Sequence, residues 1–309
     1  MPSLKIYGLL GYPVKHSLSP AMHNAAFKSL GINAEYRLFE VHPDDLKDFL
    51  LGDRPVYDIN GNSVARQQLC GFNITIPHKI KASQILECQF PFTSDDFLSL
   101  QELYYVKLSG AVNTVKVVGD RLVYYNTDPA GFIRSLGEDL KFDPKGKKVL
   151  VVGCGGAGRA VIAALSWTNT GTDKIYATDI KNEALDSAKE YFAQIPRLKD
   201  HLKDRLIFIS LSDITKRIKN CDLLVNASSL GMHLQDESPL DKRLLHKGLK
   251  VFDVVYNRET KLMQDAQQSG LEAVGGLNML LYQGMSAFEL WTDQSAPKEV
   301  MLEALLKNI

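Results

Sequence analysis

Gly153-Cys154-Gly155-Gly156-Ala157-Gly158 follows the apolar run Val149–Val152 and leads into a helix-forming stretch holding Ala160, Ala163 and Ala164. Spaced glycines between a strand and a helix suit a bound dinucleotide. Gly153 allows the turn, Gly155 lets backbone approach a pyrophosphate, and Gly158 lets the helix pack close to the sheet. The N–H groups of Gly156 and Ala157, at the helix start, would face the phosphates. An ordinary tight βα turn carries similar glycines; the strand before and the helix after favour a nucleotide. Because this loop begins only at residue 153, the preceding half serves something else, most simply a substrate.

Four polar clusters suit such a substrate. In Gly11-Tyr-Pro-Val-Lys-His-Ser17-Leu-Ser19-Pro20, Ser19 before a proline is the pattern of a helix N-cap. Ser17 has no such explanation, and two hydroxyls beside a positive helix end would hold a carboxylate. In Gly71-Phe-Asn73-Ile-Thr75-Ile-Pro77-His78-Lys79, Asn73 and Thr75 alternate with apolar residues and so share one face at a strand end. Lys79 then stands in a first helical turn, where a cation is mildly disfavoured and a function is the better explanation. Asn113 of Gly110-Ala-Val-Asn113-Thr114 and Asp128 of Asn126-Thr127-Asp128 bracket an expected hairpin. For either taken alone, capping is the better explanation. Gln283 lies on an otherwise apolar helical stripe, where a partly exposed amide would be unremarkable.

The elements that must position these groups read as α/β throughout. From Lys148 onward, strand-like segments at 149–152, Lys174–Thr178, Leu206–Ile209, Leu223–Asn226 and Val251–Val255 alternate with helices, notably 182–193 and 260–269. Near-continuous apolar strands imply a doubly wound parallel sheet covered on both faces, a Rossmann-type domain over 128–276. The first half is expected to hold strands at Ile6–Leu10, Glu35–Phe39 and Phe72–Ile76, and helices at Pro20–Leu30, Pro43–Leu50 and Ile80–Glu87. A hairpin over 115–125 follows, and Gly52–Gln68 reads as an exposed loop. After Gly275-Gly276, the stripe Leu277, Leu280, Leu281, Gly284, Phe288, Trp291 predicts a C-terminal helix returning to the first domain. The substrate domain is thus 1–127 plus 277–309.

Composition narrows the partners. With 309 residues, two domains are the natural expectation. Thirty-six basic and 36 acidic residues balance, which gives no attraction to nucleic acid or membrane. No apolar run approaches the ~20 residues of a membrane span, and no secretory signal opens the chain. Cys70, Cys88, Cys154 and Cys221 lack CxxC spacing, so a cytoplasmic protein without metal is expected.

Together these segments resemble the shikimate dehydrogenase family, including its quinate relatives. The resemblance runs through 11–24, 71–79, 110–114, 126–128, 153–160, 226–232 and 275–292, nearly the whole chain and in the family's order. It implies an N-terminal substrate domain, a Rossmann domain and a returning C-terminal helix. It implies that Ser17 and Ser19 hold the substrate carboxylate, with Tyr256 a further contact. Thr75, Asn113 and Gln283 would bind ring hydroxyls, Lys79 and Asp128 would be the catalytic pair, and Gly276 would lie near the nicotinamide. The implied reaction is reversible oxidation of shikimate to 3-dehydroshikimate by a monomer or homodimer.

Some residues depart from the family pattern. Asp179-Ile180-Lys181 stands where NADP-using members commonly have Asn-Arg-Thr, whose arginine grips the 2′-phosphate. Asp179, about twenty residues past Gly158, would hydrogen-bond a ribose 2′-OH and repel a phosphate. NAD is therefore expected over NADP, with Lys181 and Arg159 arguing the other way. Pro129 and Asn278 replace usual glycines. Quinate is the rival substrate; retention of both serines tilts the choice to shikimate. A catalytically silent NAD-binding sensor would have no need of Lys79, Asp128 and the serines together, and a methylene-tetrahydrofolate-type dehydrogenase would carry a different lysine motif.

Overall fold

The computed structural model describes residues 3–92, 101–167, 170–195, 202 and 204–309. The chain divides into two compact units, Met1–Thr127 with Leu281–Ile309, and Asp128–Leu280.

The first unit opens with β1 (Lys5–Gly11), α1 (Ser19–Ser29), β2 (Ala34–Glu40) and α2 (Leu46–Leu51). Then come β3 (Val56–Tyr57), β4 (Ser63–Val64), β5 (Leu69–Ile74), α3 (Lys79–Gln89), α4 (Gln101–Ser109), β6 (Thr114–Val118) and β7 (Arg121–Tyr125). Its main sheet has the order β2-β1-β5-β6-β7. β2, β1 and β5 run parallel, whereas β6 and β7 are antiparallel additions closed by a two-residue turn at Gly119-Asp120. One face of the sheet (Ile6, Leu10, Phe72, Ile74, Val115) shares a core with Leu46, Phe49, Ala82, Leu86 and Val106 of the helices. The segment expected as an exposed loop joins that core: β3 pairs with β4, and Val56 and Val64 are buried. Its polar turn residues masked two isolated valines, each too short a signal to read as a strand.

The second unit holds α5 (Asp128–Glu138), β8 (Lys148–Val152), α6 (Gly156–Ser166), β9 (Lys174–Thr178), α7 (Asn182–Ala193) and β10 (Leu206–Phe208). It continues with α8 (Ile214–Arg217), β11 (Leu223–Asn226), β12 (Lys250–Asp253), α9 (Lys261–Gln268) and β13 (Ala273–Gly275). All six strands are parallel in the order β10-β9-β8-β11-β12-β13, the doubly wound order whose direction reverses between β8 and β11. Alternate residues of β8 enter opposite cores. Val149 and Val151 meet Phe132, Val161, Ile162 and Phe192, while Leu150 and Val152 meet Ile214, Leu262 and Ala266. Burial on both faces is why these strands are unbroken apolar runs.

α10 (Leu277–Thr292) and α11 (Lys298–Leu306) complete the chain. From Leu281 onward they belong to the first unit, where they cover the sheet's second face. Trp291 lies 5.1 Å from Tyr7, ring to ring, and its indole N–H donates to the Val115 carbonyl at 2.9 Å. Phe288 lies 5.4 Å from Phe27 of α1, and α11 packs along α1.

Candidate active site

In the first unit the suspected residues gather where β1 and β5 end and β6 begins. The two strand ends are laced by Thr75 N–H to the Leu10 carbonyl at 2.8 Å and Tyr12 N–H to the Ile76 carbonyl at 3.0 Å. Ser17 and Ser19 lie beyond β1. Of the two readings of Ser19, the cap is not the one seen: Leu18 stands at the N-cap position, in helical geometry, with no side-chain cap bond. Instead Ser17 Oγ accepts from Ser19 N–H at 3.2 Å, so the capping-like role falls to Ser17. The Ser19 side chain lies 4% exposed in the first turn of α1.

β5 ends at Ile74, two residues earlier than expected. The cause is Pro77, which offers no N–H and is preceded by a segment turned toward β1. Thr75 is therefore half-buried just past the strand, and Ile76 is exposed. Asn73, two residues earlier, lies inside the fold. It is buried and holds other side chains: Tyr36 Oη donates to its Oδ1 at 2.8 Å, and its Nδ2 donates to Thr114 Oγ1 at 3.0 Å.

Lys79 begins α3, and its carbonyl accepts from Val112 N–H at 3.0 Å, which sets it beside Asn113. His78 is buried, with Nε2 at 2.8 Å from the Val41 carbonyl, and burial lowers its pKa. Asn113 is also buried. Its Oδ1 accepts from Thr127 N–H at 2.8 Å, and its Nδ2 donates to Thr127 Oγ1 at 2.9 Å and Gln283 Oε1 at 3.2 Å. Gln283, on the apolar stripe, is 8% exposed and accepts that bond.

In the second unit, Asp128 is the first residue of α5 and lies 4% exposed. Gly153 follows β8 with φ +108°, a conformation open to glycine at little cost. Gly155 is the N-cap of α6, with open space where a side chain would stand, whereas a Cβ on Gly158 would collide with the Gly153 carbonyl. That leaves the N-terminal N–H groups of Gly156 and Ala157 beside an exposed glycine, a cradle that fits a pyrophosphate. Asp179 stands beside it. Its Oδ2 accepts from Cys154 N–H at 2.7 Å and its Oδ1 from Lys181 N–H at 2.8 Å. The same carboxylate borders a cleft of about 440 Å³ lined also by Asn182, Asp186, Lys189, Ser210 and Ser212.

Arg159 does not face that cleft. It is 2% exposed, its Nη2 donates to Ser187 Oγ at 2.9 Å, and its guanidinium lies 5.4 Å over the Tyr191 ring. Asn278 likewise turns into its own unit, donating to Asp139 Oδ1 at 2.9 Å. Gly276 packs against the Val254 carbonyl, and its N–H donates to the Val255 carbonyl at 3.0 Å. Tyr256 follows half-buried.

The turn carrying Tyr256 is anchored by Asp253, which sequence reasoning passed over. This fully buried carboxylate accepts from Thr260 Oγ1 at 2.6 Å, Asn226 Nδ2 at 2.9 Å and Val255 N–H at 3.1 Å. An acid closing an apolar strand was the available signal. Desolvation pushes its pKa up to about 6 despite those three donors. Among the described residues no group of three or more His, Cys, Asp or Glu side chains could hold a metal ion, and no helix is long and apolar enough to cross a membrane.

Residues 9–90 match the model of the shikimate dehydrogenase substrate binding domain, and 276–306 that of the shikimate 5'-dehydrogenase C-terminal domain. The NADP(+) shikimate dehydrogenase of Methanopyrus kandleri is 40% identical over 98% of this chain and 96% of its own. The chain belongs to the shikimate dehydrogenase family. Among solved structures, shikimate 5-dehydrogenase of Listeria monocytogenes, in complex with shikimate and NAD, is similar with a TM-score of 0.76 and 29% identity, covering 98% of this chain and 96% of that one. Quinate dehydrogenase of Corynebacterium glutamicum, in complex with NAD, has a TM-score of 0.76 and 27% identity, covering 99% of this chain and 100% of that one. As a member of the shikimate dehydrogenase family, the protein is an oxidoreductase acting on a hydroxyl group with NAD(P). The doubly wound sheet and the C-terminal helices on the first unit agree with that fold.

Proposed function

We propose that the protein interconverts shikimate and 3-dehydroshikimate, with the first unit taking the acid and the second the nicotinamide cofactor. The observation that carries this reading is the grouping of Ser17, Ser19, Thr75, Lys79, Asn113 and Gln283 at one end of one sheet. Hydroxyls beside the start of α1 suit a carboxylate, amides suit ring hydroxyls, and a lysine suits the reacting one. Tyr256 adds a further contact to the carboxylate. The cofactor, when bound, supplies the hydride acceptor.

Hydride cannot leave a neutral alcohol unless its proton moves too. Lys79 in its neutral form takes that proton, or its ammonium stabilises developing charge on the oxygen. Asp128 orients the hydroxyl. Lys79→Ala should lower kcat by about a thousandfold with KM for shikimate within a few-fold. Near-normal turnover of that variant would end the assignment.

For the cofactor we infer NAD. Asp179 is braced by two backbone N–H groups at the edge of the cleft, and a phosphate there would meet its charge. Arg159, the nearest alternative grip for a 2′-phosphate, is engaged with Ser187 and Tyr191. Lys181 remains at the N-cap of α7 as the competing cation. The NADP(+) name of the Methanopyrus relative points the other way, so kcat/KM for both cofactors is the decisive measurement; a clear NADP preference overturns the inference. The same assay run with quinate separates the two acids, because the NAD-bound quinate dehydrogenase shares this fold.

A further inference from the structure

We propose that Asp253, a buried carboxylate held by neutral dipoles, makes the second unit prefer the oxidised, cationic nicotinamide over the reduced, neutral one. The inference rests on the reading of the second unit as the domain that takes the nicotinamide cofactor.

Asp253 is the last residue of β12 and is 0% exposed. Each of its three hydrogen bonds comes from a group whose direction is settled. The Val255 N–H can only donate. Thr260 Oγ1 accepts from Met263 N–H at 3.2 Å, which leaves its own proton for Asp253 Oδ2. Ser228 N–H, at 3.2 Å, marks Asn226 Oδ1 as the acceptor, so Nδ2 faces Asp253 Oδ1. Three fixed donors around one side chain suit an ionised carboxylate, which only accepts. Burial pushes its pKa up to about 6, and above that pH it carries its charge.

The donors are neutral, so none cancels that charge. Among the described residues no cation faces it. β11 and β13 hold no charged residue. On α9, Lys261 pairs with Asp265 at 2.6 Å. In the turn before it, Arg258 donates to the His233 carbonyl and Glu259 is exposed. A buried charge without a counterion is costly, and its field reaches past contact distance because little water screens it.

The cradle and the strand order indicate which part of the cofactor meets that field. The pyrophosphate belongs at Gly156 and Ala157 after β8, and Asp179 after β9 marks the adenosine side. The order reverses between β8 and β11. The nicotinamide half therefore extends over the carboxyl ends of β11 and β12, the side on which Asp253 stands. A nicotinamide ring carries one positive charge when oxidised and none when reduced. An anion on that side holds the oxidised form more tightly and makes the bound reduced form a stronger reductant. Unit charges about 12–15 Å apart, at an effective dielectric constant of about 20, shift an equilibrium about five- to tenfold.

The test reads binding rather than turnover: dissociation constants of NAD+ and NADH at pH 8 for the parent, Asp253→Asn and Thr260→Val. Asp253→Asn should weaken NAD+ about five- to tenfold and leave NADH within about twofold. Thr260→Val loosens the same joint but keeps the charge, so both constants should move together. A purely structural role weakens both forms equally in Asp253→Asn. That result overturns the proposal, as does an equal change of the ratio in Thr260→Val. The parent gives a second reading that needs no variant. Between pH 8 and 5.5, protonation of Asp253 should shift the preference toward NADH by about threefold; a flat ratio overturns the proposal. If the parent binds NADP+ and NADPH but neither unphosphorylated form, the NAD reading falls alone, and the same ratio is read with that pair.

Discussion

His23 sits among Tyr36, Phe27 and Trp291, fully buried, with neither ring nitrogen given a hydrogen-bond partner. Desolvation lowers its pKa from 6.5 to about 3. The folded protein thus binds this proton less readily than the unfolded chain. Stability from this residue is whole above pH 6.5 and is lost as pH falls toward 3, at up to about 1.4 kcal/mol per pH unit. His23→Phe should flatten the loss of stability between pH 6 and 4 in denaturant titrations; an unaltered slope would show that another group sets the acid limit. At this scale the sequence was partly legible. Lys79 stood out as a cation in a first helical turn, whereas Asn113 and Gln283 gained roles only through the resemblance. Tyr36 did not stand out, because its partner Asn73 is 37 positions away. Ser19 stayed open to two readings because a Ser-Pro pair looks alike whether the serine caps a helix or stands in its first turn.

At the scale of elements, two joints govern the second unit. The first is the β8–α6 turn, where the Gly158 Cα rests against the Gly153 carbonyl. Gly158→Ala should push the start of α6 off its strand, lowering stability by about 1–3 kcal/mol and raising the cofactor KM at least tenfold. Wild-type values for both would mean the turn accommodates a methyl group. The second joint is Asp253, which ties β12 to the end of β11 and to Thr260 at the N-cap of α9. Its raised folded pKa gives the opposite slope to His23: stability is greatest below pH 4 and falls as pH rises through about 6. Asp253→Asn should remove that slope in unfolding measurements between pH 4.5 and 7. Strands buried on both faces, such as β8 and β11, were readable from their apolar runs. β13 was not, since Ala273-Val274-Gly275 is three residues long, and α4 and α11, each nine residues, lacked a marked start signal.

At the scale of the molecule, the two units differ in how they are closed. The second is one continuous stretch with its own sheet and two cores. The first needs two stretches, because Phe288 and Trp291 of α10 and Met301 and Leu305 of α11 are buried within it. A fragment of residues 128–280 should therefore unfold in a single cooperative thermal transition, and a fragment of residues 1–127 should not. Adding residues 281–309 to the latter in trans should restore one. A cooperative transition in 1–127 alone would show that the returning helices are dispensable for folding.

The discontinuity also dictates an order of events at the ribosome. Translation delivers every residue of the second unit before the helices that seal the first have left the exit tunnel. During that interval Tyr7 and Tyr36 of the sheet and Phe27 of α1 lack the Trp291 and Phe288 rings that later pack on them. The nascent chain must keep that surface from neighbours and chaperone-bound clients alike until its final thirty or so residues arrive.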